Sequence, residues 1–127
     1  MEHTMTNTTY EKNTCVHAMV NISTIPLDLI LLLYDGAIDY LRKTSLSMSQ
    51  GNVSQKSHYI ARGIAVIEEL LASLDLDAGG DSVVHLQEIY LYMLRELTIA
   101  NAEDDALRVH NVESLLRKLK SAWRQIG

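Results

Sequence analysis

Apolar residues recur along most of this chain at intervals of three and four, the spacing that places them on one side of an α-helix. Leu27, Ile30, Leu33, Ala37, Ile38 and Leu41 form the first such stripe, and Leu29, Leu31 and Leu32 widen it. A stripe that wide predicts more than one packing neighbour. Ile60, Ile64, Ile67, Leu71 and Leu74 form a second. Val83, Leu86, Tyr90, Met93, Leu97 and Ala100 form a third, and Val109, Val112, Leu116, Leu119, Trp123 and Ile126 a fourth. The last two are close to coiled-coil seams. The interruptions are few: Gln50-Gly51-Asn52, then Asp75 to Asp81 with Gly79-Gly80, then Asn101 to Asp105. They predict helices over about 26–48, 53–75, 81–101 and 103–125. Joints this short leave no length for a crossover, so consecutive helices must run antiparallel. The expected fold is all-α: an antiparallel up-down-up-down four-helix bundle over 25–127, preceded by an N-terminal arm, residues 1–24, that supplies a short helical cap.

Helix ends carry their own signals. Pro26 predicts the first helical position of the first helix, with Asp28 in its positive first turn and Thr24 or Ile25 left to cap it. Asn52, with Gln55 three residues on, predicts the cap of the second. Glu103, Asp104 and Asp105 are expected in the first turn of the fourth helix, and Arg117, Lys118, Lys120 and Arg124 toward its end, each opposing the helix dipole. Before Pro26 the texture changes. Five threonines crowd the first fourteen residues, and Val16, Met19, Val20 and Ile22 then form an apolar patch suited to lying on the bundle. Such an arm is either a strap over a core edge or a removable lid over a groove.

Composition narrows the class. One proline and six glycines in 127 residues is too little punctuation for a sheet protein. The longest apolar run, Leu29 to Tyr34, falls far short of the roughly 20 residues that span a bilayer, so no membrane insertion is expected. A single cysteine, Cys15, points to a reducing compartment, and a cytoplasmic location follows. Eleven Lys and Arg against sixteen Asp and Glu give −5, which argues against a nucleic-acid partner and for another protein.

Catalytic and cofactor chemistry finds little support. A di-iron bundle uses Glu-x-x-His pairs, and none occurs here. The reversed spacing occurs twice, at His85–Glu88 and His110–Glu113, but Glu88 is set about 200° from the neighbouring core positions Leu86 and Tyr90. Cys15 has only His17 nearby in sequence, two residues away, where the side chains of a helix do not face each other. Gly79-Gly80 follows a helix and lacks the lysine of a phosphate loop. No metal, cofactor or enzyme activity is expected. What remains is surplus apolar surface: nineteen leucines, five methionines and Tyr34, Tyr40, Tyr90 and Tyr92 exceed the needs of one internal seam. Outer apolar grooves between helices are where a partner's amphipathic helix is laid. A carboxylate-bridged metal enzyme is the rival from another class. A self-associating bundle, a homodimer filling its own outer grooves, is the third reading.

Particular residues also match a known pattern. Pro26 through Ile38, with Leu33-Tyr34-Asp35-Gly36-Ala37 at its centre, resembles the opening helix of the flagellin-specific export chaperones, the FliS family. Ser73-Leu74-Asp75, Gly79-Gly80, Leu86, Ile89 through Met93, Leu97 and Ala100-Asn101 resemble that family's second joint and third helix. Val112-Glu113, Leu115-Leu116 and Ala122-Trp123 resemble its last helix, and Tyr10 its N-terminal tyrosine. Two positions depart from the pattern: Ile25 stands where the family usually has serine, and His85 where it usually has asparagine. The arm between Tyr10 and Pro26 is also slightly longer than usual.

The resemblance implies a cytoplasmic chaperone of flagellar type III export. Its partners would be the C-terminal segment of flagellin, disordered before assembly, and the flagellar export apparatus. Tyr10, Met19, Ile22, Leu32, Tyr34, His85, Leu86, Tyr90 and Met93 are the expected partner-binding residues. An imidazole at 85 would make that binding sensitive to pH in a way the family's amide is not.

Overall fold

The computed structural model describes residues 23–78 and 80–125. The arm, its expected helical cap and the candidate residues Tyr10, Met19 and Ile22 lie outside the described residues. Within them the chain forms α1 (Leu27–Ser49), α2 (Val53–Ala72), a 3-10 turn at Leu76–Ala78, α3 (Gly80–Glu103) and α4 (Ala106–Arg124). Each helix packs on its neighbours in sequence, and α4 closes the ring against α1. Opposite ends meet. Lys56 at the start of α2 reaches Asn101 and Asp104 at the end of α3, and Trp123 at the end of α4 reaches Tyr34 in the first half of α1. This is the all-α, up-down-up-down bundle that the four stripes predict.

The stripes become the core. All six predicted positions of α3 are buried, as are Val109, Val112, Leu116 and Trp123 of α4. On α1 the buried face is Ile30, Tyr34, Ala37, Ile38 and Leu41, continued by Thr44 and Ser47. Those two hydroxyls donate to the carbonyls of Tyr40 and Lys43 one turn back, at 2.8 and 2.9 Å, so small polar groups sit at the helix contact without an unmet hydrogen bond. Gly63 of α2 faces Leu41 so closely that a β-carbon there would fall 2.9 Å from its Cδ2.

Three helix ends differ from the sequence expectation, each because a contact from elsewhere takes the backbone groups. Pro26 is not the first helical residue but the residue before it, in extended conformation (φ −69°, ψ 155°), and neither Thr24 nor Ile25 caps α1. Thr24 is committed elsewhere: its N–H and its hydroxyl both donate to the carbonyl of Ser73, at 2.7 and 3.0 Å. That same contact, with the bridge between Ser23 and Leu74, ends α2 at Ala72, earlier than its apolar pattern suggests.

Glu103 and Asp104 do not join the first turn of the last helix. Glu103 ends α3, Asp104 adopts a left-handed φ of 55°, and the N–H of Asp105 returns to the carbonyl of Ala100 at 3.0 Å, closing α3 as a Schellman turn. Lys56, almost buried, donates to the Asp104 carboxylate at 3.1 Å and to the Asn101 carbonyl at 3.2 Å, and so holds this corner. Asp105 then caps α4, accepting from the N–H groups of Leu107 and Arg108. Asn52 caps α2 by accepting from the N–H of Gln55.

Candidate functional site

Packing the stripes inward leaves apolar side chains outside, among them Leu29, Leu32 and Leu46 on α1 and Val84, Leu91 and Tyr92 on α3. Leu91 and Tyr92 fall between the core positions Tyr90 and Met93, about 100° per residue around the axis, so they cannot follow them inward. They stand 40% and 44% exposed. Ile89, Leu94 and Ile99 flank them half-buried. The apolar residues of α3 are spread more evenly around its axis than those of the other three helices.

Two adjoining cavities mark the result. One, of about 440 Å³, is lined by His85, Glu88, Ile89, Leu91, Tyr92 and Arg95. The next, of about 380 Å³ and mainly apolar, is lined by Leu91, Leu94, Arg95, Thr98 and Ile99. Leu91 and Arg95 belong to both, so they form one furrow from His85 to Ile99, about 20 Å at a helix's 1.5 Å per residue. A third cavity, of about 280 Å³, opens where the described chain leads into α1, between Ile25, Leu29 and Leu33 on one side and Glu69 and Ala72 of α2 on the other.

The candidate residues separate into three groups. His85 is exposed and lines the α3 furrow. Leu32 is 65% exposed on the outside of α1. Tyr34, Leu86, Tyr90 and Met93 lie in the core. There the Tyr34 and Tyr90 hydroxyls share a 2.6 Å hydrogen bond, and the indole N–H of Trp123 donates to the Tyr34 hydroxyl at 3.2 Å. Burial pushes the Tyr34 phenol up to about 12, against the opposing pull of those two hydrogen bonds. Burial raises Tyr90 as well, reinforced by the neighbouring Tyr34 phenolate that ionisation would create.

Spacing does not single out Leu91, Leu94, Arg95 and Ile99, because spacing finds the seam and these lie beside it. The surplus of apolar residues on α3 is their signal. Among the described residues no group of three or more His, Cys, Asp or Glu is placed to hold a metal ion, and no helix is long and apolar enough to cross a membrane. The furrow offers shape, apolar surface and a few charges, which serve binding.

The sequence model of the flagellar protein FliS matches residues 6–127. The chain belongs to the FliS family. The flagellar secretion chaperone FliS of Salmonella typhimurium is 39% identical over 107 residues, covering 84% of this chain and 79% of that protein. The Escherichia coli protein of the same name is 30% identical over 120 residues, 90% of this chain and 88% of its own length. The Vibrio cholerae one is 32% identical over 101 residues, 80% and 74%. FliS proteins are thus named as chaperones, a role without catalysis, and the α3 furrow carries part of this member's exposed apolar surface.

Proposed function

We propose that this protein is a cytoplasmic chaperone for flagellin, holding the subunit's disordered C-terminal region until the flagellar export apparatus receives it. One observation carries the reading: a chain of the flagellar secretion chaperone family has a furrow about 20 Å long on the outside of α3, mainly apolar between Leu91 and Ile99, that matches about four turns of a partner helix. A disordered segment with amphipathic pattern cannot bury its own apolar face. Laid along Ile89, Leu91, Tyr92 and Leu94, that face is hidden from other subunits. Ordering the segment costs about 2–5 kcal/mol or more, which keeps the complex releasable. His85, Leu91 and Tyr92 make the contact on α3 and Leu32 on α1, while Tyr34, Leu86, Tyr90 and Met93 act from beneath by fixing the position of α3. Tyr10, Met19 and Ile22 of the arm are the proposed competitors for the same surface.

Calorimetric titration with a flagellin C-terminal peptide tests this. The expected result is saturable binding with a negative heat-capacity change. Absence of heat, together with failure to co-purify, overturns it. A chain lacking residues 1–22 binds more tightly if the arm competes, and equally well if the arm is a strap.

A further inference from the structure

We propose that the cleft between α1 and the C-terminal half of α4 is a second docking site, taking a glutamate- or aspartate-bearing segment of another protein partner. In a chain of net charge −5, four of the eleven Lys and Arg residues, Arg117, Lys118, Lys120 and Arg124, fall within eight positions of α4. Three of them, with Ser121 and with Ile38 of α1, line a cavity of about 200 Å³. Its polar lining is two guanidinium groups, an ammonium and a hydroxyl, all able to donate, and among the described residues no carboxylate lines it.

The cations are aimed as well as clustered. Glu113, nearly buried, accepts from the Arg117 guanidinium at 2.8 and 3.1 Å, and Asp35 of α1 pairs with Lys120. These two carboxylates brace the side chains from outside the cavity. Among the described residues Arg124 has no ion-pair partner. A helix dipole is satisfied by one cation in the last turn, and α1, α2 and α3 do without any. Three cations converging on a cavity exceed that need. Ile38, 6% exposed, gives an apolar floor for the methylenes of a glutamate whose carboxylate meets the donors.

The rest of the surface decides the class of ligand. With the basic cluster set aside it is more acidic than the whole chain, so an anionic lipid sheet or a nucleic acid is repelled everywhere else. A single acidic loop of a protein meets only the cluster. The cleft is also independent of the α3 furrow: α1 packs on α2 and α4, and α3 stands diagonally across the bundle. Both can be filled at once.

The test is an NMR titration of the full chain with a hexaglutamate peptide at low salt, with inorganic phosphate as a second probe. The expected result is saturable shifts confined to Ile38 and residues 117–124. Affinity should fall about tenfold in Arg124→Glu, and as far in Ser121→Glu, which puts an anion into the same cavity without touching an ion pair. Lys118→Glu makes the same charge change from outside the lining and should cost no more than about twofold. Equal losses in Arg124→Glu and Lys118→Glu would reduce the effect to net charge and overturn the proposal. So would shifts spread over the whole surface, or phosphate binding as tightly as the peptide. Flagellin peptide binding to Arg124→Glu is expected to be unchanged, so failure here leaves the α3 reading standing.

Discussion

The inner faces of α3 and α4 are alike, and their outer faces differ. Inward, α3 presents Val83, Leu86, Tyr90, Met93, Leu97 and Ala100, and α4 presents Val109, Val112, Leu116 and Trp123, all buried. Outward, α3 sets Val84, Leu91 and Tyr92 among His85, Glu88 and Arg95, whereas α4 after its first turn shows His110, Asn111, Arg117, Lys118, Ser121 and Arg124. An inner stripe is what recruits a helix to the bundle, and burial there stabilises in the same way whatever lies behind it. The outer face is free of that demand. It can therefore differ between the two helices.

The largest effects should fall on the shared inner layer. Met93→Ala on α3 and Leu116→Ala on α4 each remove side chains with no exposed surface, and each should cost about 2–5 kcal/mol, read as a lower urea midpoint with unchanged slope. A loss under about 1 kcal/mol for one of them would break the equivalence of the inner faces.

Alkali should act on the same layer through Tyr34. Unfolded, its phenol loses a proton near the ordinary value of 10; folded, it holds that proton to about 12. Between these values unfolding releases a proton, so stability that is complete below pH 10 declines as pH rises toward 12, by roughly 2–3 kcal/mol. Denaturant titrations across that window should show the decline, and Tyr34→Phe should make it shallower. A decline equally steep in Tyr34→Phe would remove the burial of this hydroxyl as the cause.

Changes to the outer faces should leave folding almost untouched and separate the two helices by partner. Leu91→Glu combined with Tyr92→Glu should move unfolding free energy by less than about 1 kcal/mol and weaken flagellin peptide binding about tenfold or more. Lys118→Glu on α4 should change neither. If the α3 double variant binds as well as the parent chain, the outer apolar face of α3 is not the contact.

Periodicity makes the bundle legible because burying apolar surface is the main force that drives folding, and in a helix that burial repeats with the turn. All six α3 positions and the Asn52 cap follow from local pattern alone. The ends of α1 and α2 do not, since Thr24 and Ser73, 49 positions apart, decide them together. Nor does Asp104, a non-glycine residue in left-handed conformation secured by Lys56 from another helix.

The site is harder to read for a related reason. Tyr90 and Tyr92 are chemically identical, and only their angle about the α3 axis sends one ring to the core and leaves the other 44% exposed. Motif resemblance picks out the Tyr-x-Tyr-Met segment as a unit. It takes the packed bundle to separate its members.

The single tryptophan of this chain donates its N–H to the Tyr34 hydroxyl at a point where α1, α3 and α4 converge. Its ultraviolet emission therefore watches the seam joining three rods and is blind to traffic along the outside of the third. Loosening of the scaffold and loading of cargo are in this way optically separable, and neither needs an added dye.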